Sequence, residues 1–236
     1  MSGGDAAYAF SLTTFSRSGK LLQIEYALNA VQSGKMSLGI KATNGVVLCT
    51  EKKLPTVLID DGDVKKIEAI TPSTGFVFSG LGPDYRVLVR KARKRAQAYY
   101  RVYREPQPVA QLVKDRGGRD AGYRGRGRRG PWRLAPGGGL RRRQAQLYQV
   151  DPSGAYFGWK ASAIGKNYVN AKNFLERRYV EDMSLDDAVH TALLTMREGF
   201  EGEMNENNIE IGVIGPDRQF RTLTPQEIKD YLDEAT

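Results

Sequence analysis

Apolar residues along the chain switch between two spacings. Leu21, Ile24, Leu28 and Val31 recur three or four positions apart, which places them on one helical face. Ser18 ahead of them predicts an N-cap whose hydroxyl accepts a free amide. Two short apolar runs, 37–40 and 46–49, flank Asn44-Gly45 and predict a β-hairpin. Residues 75–79, bounded by glycine, predict a further strand. Pro83-Asp84 then opens a long helix in which Leu88, Ala92, Ala96, Tyr99 and Tyr103 share a face, until Pro106 and Pro108 end it. A helical pattern restarts over 109–114.

Order returns at 146–150 after a long interruption. Asp151-Pro152-Ser153-Gly154 fits a type I turn, with 155–159 as the partner strand. A helix is expected around Ile164, Tyr168, Ala171 and Leu175. Another starts at Ser184 and buries Leu185, Ala188, Val189, Ala192, Leu193 and Met196. Ile209, Ile211 and Val213 alternate as in a strand, and Thr224-Pro225-Gln226-Glu227 is a capping box that opens a last helix. The order of elements predicts an α+β fold, two antiparallel sheets covered by helices.

The interruption changes how charge is read. The 236 residues carry a net +9, but residues 115–143 hold ten arginines and two aspartates, a local +8, leaving +1 for all the rest. The body of the protein is nearly neutral, so its basic pI argues for nucleic acid through one segment only. No apolar run approaches a membrane span. The N-terminus lacks the pattern of a signal peptide. A single cysteine, Cys49, excludes an internal disulfide framework and any multi-cysteine metal site. A soluble intracellular protein without cofactor or metal is the expectation. Gly125-Arg126-Gly127-Arg128-Arg129-Gly130 satisfies a dinucleotide fingerprint in letters alone: no strand precedes it and Pro131 follows. The run 90–95 is read as a wet helix face rather than a nuclear-localisation patch, and His190 as a helix-surface residue.

Residues 10–31, FSLTTFSRSGKLLQIEYALNAV, resemble the N-terminal signature of proteasome alpha-type subunits, in which a Phe-Ser turn leads into a helix carrying Gln-Ile-Glu-Tyr-Ala. The matching residues are Phe15-Ser16, Gly19-Lys20 and Gln23-Ile24-Glu25-Tyr26-Ala27. The resemblance continues through Asn44-Gly45-Val46-Val47-Leu48, Ser79-Gly80-Leu81-Gly82-Pro83-Asp84-Tyr85-Arg86 and Asn207-Asn208-Ile209-Glu210. Within the family it is greatest to the second alpha type, on the words YAFSLTTF at residue 8 and GKNYVN at residue 165. The resemblance implies one domain over 1–236 with a four-layer αββα sandwich, an N-terminal tail over 1–17 and a helix over 18–32. It implies seven-membered alpha rings stacked on catalytic beta rings in a 20S core particle that serves ubiquitin-dependent degradation. The implied partners are other alpha subunits, beta subunits, and the tails of regulatory-particle ATPases or other activators, in cytoplasm and nucleus, with no membrane or nucleic acid.

The beta-type mechanism needs the free amine and hydroxyl of an N-terminal threonine beside a base. By resemblance that threonine falls near Lys35, with Glu51 and Lys66 near the family's acid and lysine. No catalytic residue is therefore expected. The resemblance instead assigns a pore gate at Tyr8, Ala9, Phe10, Arg17 and Tyr26, and a pocket for activator tails at Gly34, Lys66 and Leu81. Two gate positions depart from the family: Ala9 stands for an aspartate, as is normal in the second alpha type, and Arg17 for a turn proline with fixed φ.

Residues 115–143 stand where the family has the end of a helix and a core strand. Their glycines and arginines bury too little to offset chain entropy, so irregular structure is expected. One explanation is a compensated frameshift in the gene or transcript. Codons permitted for residues 134–143, read one base later, give Ser-Leu-Leu-Val-Ala-Gly-Phe-Asp-Asp, close to the missing strand. The other is an Arg/Gly-rich insert that binds RNA or an acidic partner on a proteasome-like scaffold. The first is preferred.

Overall fold

Alternation along one strand sets the layers. In β2 (Val46–Glu51) every residue is buried. Val46 and Leu48 point into one apolar cluster, while Val47 and Cys49 point into another. A strand buried on both faces must lie between two packed layers. The computed structural model describes residues 14–54, 56, 58–114, the backbone of 133–136, and 145–234.

Among the described residues, two five-stranded sheets pack face to face, and every strand pair is antiparallel. The first runs β10 (Phe220–Thr222), β9 (Ile209–Ile214), β2, β1 (Ser37–Lys41), β8 (Ala161–Ile164). The second runs β3 (Ile67–Thr71), β4 (Thr74–Val77), β5 (Arg133–Pro136), β6 (Leu147–Val150), β7 (Tyr156–Gly158). Val46, Leu48, Ile67, Val77, Leu147, Ile164 and Ile214 fill the space between them. Helices α4 (Tyr168–Arg178), α5 (Leu185–Gly199) and α6 (Pro225–Glu234) cover the first sheet over Leu38, Ile40, Ala192, Leu193 and Met196. Helix α2 (Gly82–Tyr103) and α3 (109–114) cover the second over Phe76, Phe78, Tyr85, Val89 and Leu112. This is the expected αββα sandwich. Each fully buried Leu or Ile here contributes roughly 1.5–3 kcal/mol.

The helix starts separate correct expectations from incorrect ones. Ser184 caps α5: its hydroxyl accepts from the Asp187 amide while the Asp187 carboxylate accepts back. Thr224 and Glu227 make the same reciprocal pair at α6. Helix α1 (Leu22–Gln32), in contrast, begins on Leu21 with no side-chain cap. Ser18 is spent earlier, where its hydroxyl meets that of Ser16 at 2.9 Å inside a turn. Ile164, expected in a helix, ends β8 instead. Gly165 at φ +93° and Asn167 at φ +59° turn the chain before α4 can start.

The expectation of irregular structure over 115–143 is corrected at one place. The backbone of Arg133–Pro136 forms β5, in register with β6 at four positions and with β4 at Val77 and Leu134. Strand pairing uses amides and carbonyls that every residue but proline supplies, and Pro136 stands at the strand's end. The rest of that segment, including the glycine-rich 125–130 run, lies outside the described residues.

Candidate functional site

The end of α1, the start of β1, the end of β2, the entry to β3 and the exit of β4 converge on one place. Gly34 sits against Ser79 and Gly80 so closely that a Cβ on it would collide with the Gly80 amide. Gly165, at φ +93°, is pinned against the Gly34 and Lys35 carbonyls, and the Lys166 amide donates to the Gly34 carbonyl at 2.8 Å. The Ser79 hydroxyl donates to the Val31 carbonyl at 3.0 Å. These crossings fix Lys35 beside β2 and leave Leu81 half exposed at the start of α2.

Charged groups gather around this crossing. Lys35 Nζ lies 2.9 Å from Glu51 Oε1, and Glu51 is buried. Lys66 Nζ donates to Thr50 Oγ1 at 2.7 Å and to the Glu51 carbonyl at 2.8 Å, with the Phe78 ring centroid 5.5 Å away. Among the described residues it makes no ion pair. Burial pushes the Lys66 ammonium down to about 8, against the opposing pull of Glu51 and Glu210. Glu210 accepts from the Lys66 amide at 2.8 Å and the Ile67 amide at 3.3 Å, and burial pushes its carboxyl up. Burial likewise pushes the Cys49 thiol up to about 12.

Hydroxyls next to Lys66 are not poised to attack anything. Ser37 and Thr50 are fully buried. Ser37 donates to the Phe78 carbonyl at 2.8 Å and Thr50 to the Met36 carbonyl at 3.1 Å. Lys35, Glu51 and Lys66 do come together, as the resemblance implied, but Lys35 offers an ammonium within the chain where the mechanism needs a free-amine threonine. Thr50 and Glu210 went unmarked as partners of Lys66 in the sequence; only the placement of Glu210 in a family motif pointed to it.

Gly34, Lys66 and Leu81, which the resemblance assigns to a pocket for activator tails, all border this crossing. The residues it assigns to a gate divide. Tyr8, Ala9 and Phe10 lie outside the described residues. Arg17 is exposed and Tyr26 half-buried on α1. Arg17 occupies the second position of a turn closed by Gly19 N to Ser16 O at 2.9 Å and Ser16 N to Lys20 O at 2.9 Å, with Gly19 at φ +75°. The turn therefore closes without proline.

Other sequence signals fall elsewhere. Arg90, Arg93 and Lys94 form an exposed face of α2, and Arg93 clamps Glu68 at 2.6 Å. His190 contacts Glu234 at 3.2 Å and the Asp186 carbonyl at 3.0 Å. One cavity of about 470 Å³ lies between α5, α6 and the 200–206 loop, and another of about 630 Å³ between α2 and the β3–β4 turn, both away from Lys66. Among the described residues no three His, Cys, Asp or Glu side chains cluster to hold a metal, and no helix is long and apolar enough to cross a membrane.

Residues 31–214 match the family profile of the proteasome subunits, and residues 8–30 match the N-terminal signature of the A-type proteasome subunits. The alpha type-2 proteasome subunit of Oryza sativa subsp. indica is 59% identical over 233 residues, 98% of this chain and 99% of that protein. The alpha type-2-A proteasome subunit of Arabidopsis thaliana is 60% identical with the same coverage. The alpha type-2 proteasome subunit of Dictyostelium discoideum is 51% identical over 229 residues, 97% of this chain and 98% of its own. The chain belongs to the proteasome subunit family and carries its alpha-type N-terminal signature.

Proposed function

We propose that this chain is a non-catalytic alpha-ring subunit of a 20S core particle, supporting ubiquitin-dependent protein degradation through ring assembly, pore gating and activator docking. The observation that carries this reading is Lys35. It stands inside the chain at the place of the hydrolase's terminal threonine, and its ammonium is paired with Glu51. With Ser37 and Thr50 buried and hydrogen-bonded, neither hydroxyl beside Lys66 among the described residues is free for acyl transfer. The partners are other alpha subunits in a seven-membered ring, beta subunits, and the tails of regulatory-particle ATPases or other activators. The location is cytoplasm and nucleus. Tyr8, Ala9, Phe10, Arg17 and Tyr26 form the gate; Gly34, Lys66 and Leu81 contribute to a pocket for activator tails.

Residues 115–143 are read as a replaced stretch rather than an added one. Alignment with the rice relative spans 98% of this chain and 99% of the other, so the two are matched nearly end to end. That length match supports the compensated frameshift over an RNA-binding insert. Native mass spectrometry of the endogenous complex tests both points. Ring membership is expected, with a subunit mass that differs from the one calculated for this sequence. Absence from the ring would sink the functional reading, and a mass equal to the calculated one would sink the frameshift.

A further inference from the structure

We propose that the cavity between α2 and the β3–β4 turn binds a small amphipathic anion, an aromatic body that carries one carboxylate. The cavity holds about 630 Å³, a size that suits a small-molecule site.

Its walls divide by chemistry. Ile70 and Pro72 on the β3–β4 side, Ala96 on α2 and Pro106 beyond its end supply apolar surface. Lys94, Gln97 and Tyr100 supply polar groups, and they recur at every third position along α2. Residues at that spacing share a helix face, so the three side chains form one row along the cavity. Each can donate a hydrogen bond, and the Lys94 ammonium can only donate. All three residues are exposed, and among the described residues none of the three side chains has a hydrogen bond or ion pair inside the protein.

Charge at the cavity has one sign. No Asp or Glu lines it. Arg93 also borders it, but Glu68 holds its Nη2 at 2.6 Å and the Ala69 carbonyl accepts from its Nε at 2.8 Å. The Thr71 hydroxyl accepts from the Ser73 amide at 3.3 Å. Lys94 is left as the lining cation without a counter-charge, with exposed Arg90 one helical turn before it. The cavity between α5, α6 and the 200–206 loop differs: it sets Glu203, Glu206 and Asp233 beside Arg197 and Lys229, and so selects neither sign. A carboxylate only accepts, which matches a row of donors, and a ligand cation would be repelled by Lys94. A bare inorganic anion would leave the apolar wall in water, whereas an aromatic body covers it.

The test uses native complexes that contain this chain and the photoreactive probe 4-benzoylbenzoate, with 4-benzoylbenzamide as its neutral match and 4-benzoylbenzylamine as its cationic match. After irradiation, peptide mapping locates the label and its saturation gives an apparent affinity. The acid is expected to label 70–72 and 93–106 saturably, with roughly fivefold preference over the amide and still more over the amine. Lys94→Gln should make acid and amide equal, and Lys94→Glu should favour the amine. Gln97→Trp, which places an indole across the cavity, should abolish labelling by all three. Both positions are exposed, so the unfolding midpoint should stay at the wild-type value. Equal saturable labelling by acid and amide in the wild type would overturn the choice of an anion. Labelling confined to other residues would overturn the cavity as the site. Absence of label from the intact complex would assign the cavity to a neighbouring chain and overturn the proposal.

Discussion

The two halves of the sandwich are held in different ways. In the half built on β10-β9-β2-β1-β8, the middle strands β9, β2 and β1 are buried on both faces, and α5 packs Ala188, Val189, Ala192, Leu193 and Met196 onto them from a capped start. In the half built on β3-β4-β5-β6-β7, the middle strand is four residues of an arginine- and glycine-rich stretch, joined to β4 at one register pair. The first half is specified by side chains; the second has its central strand specified by backbone pairing. Pairing tolerates almost any sequence, whereas close packing does not.

The largest test of that contrast replaces 134–142 with Ser-Leu-Leu-Val-Ala-Gly-Phe-Asp-Asp. Several new apolar side chains, each stabilising by roughly 1.5–3 kcal/mol when buried, should raise unfolding stability by on the order of 5 kcal/mol and improve entry into alpha rings on co-expression. Denaturant midpoints and ring yield measure this. An unchanged midpoint would mean that the present stretch already packs as a core strand does.

Next in size is truncation. Leu193→Ala in the first half should cost about 2–5 kcal/mol, because its close-packed surroundings cannot collapse around the void. Leu112→Ala on α3, also fully buried, should cost measurably less if packing is the looser in its half. Urea titration of both variants checks the order; equal costs would show the two halves to be equally rigid.

The same contrast explains what could be read in the sequence. Strands β1, β2, β4, β6 and β9 carried their own signal in short apolar or alternating runs, and α2, α5 and α6 in apolar spacing bounded by proline or capping residues. Strand β3 hid because a bulge between Ala69 and Thr71 breaks its period, and β10 because it has only three residues. Strand β5 has only Leu134 and Ala135 as apolar residues inside an arginine- and glycine-rich stretch, too short a run to predict a strand. In the site, Lys66 and Glu51 were marked through family resemblance. The partners of the Lys66 ammonium, Thr50 Oγ1 and the Glu51 carbonyl, belong to β2 in the opposite sheet, which only the packing of the two sheets brings to Lys66. Ser18 misled because serine ahead of an apolar run reads as a cap, while Gly19 at positive φ uses that serine in a separate turn.

The crossing that joins the halves offers a smaller effect. Gly34→Ala would drive a methyl group into the Gly80 backbone, which cannot move aside like a side chain. A loss of about 1–3 kcal/mol is expected, together with weaker activator docking, because Lys35 and Leu81 are displaced from either side. A wild-type midpoint in thermal unfolding would mean that the crossing is looser than its geometry.

Helix capping gives the smallest and most local comparison. Ser184→Ala should cost about 1 kcal/mol, since α5 loses the acceptor for the Asp187 amide. Ser18→Ala should cost α1 almost nothing through capping, because α1 starts on Leu21 without a side-chain acceptor. The α5 cap also carries a pH signature. Hydrogen bonds from the Ser184 hydroxyl and amide hold the Asp187 carboxyl below its ordinary value. The folded form therefore binds that proton less readily than the unfolded chain. The carboxylate's contribution is present above the ordinary aspartate range and is lost as pH falls through the folded value. Unfolding curves from pH 6 down to pH 3 should draw closer for wild type and Ser184→Ala without meeting, because the Ser184 hydroxyl still accepts from the Asp187 amide when the carboxyl is protonated, while wild type and Ser18→Ala stay superimposed throughout. A Ser184→Ala gap that persists undiminished at the acid end would assign the cap to the serine hydroxyl alone and remove Asp187 from it.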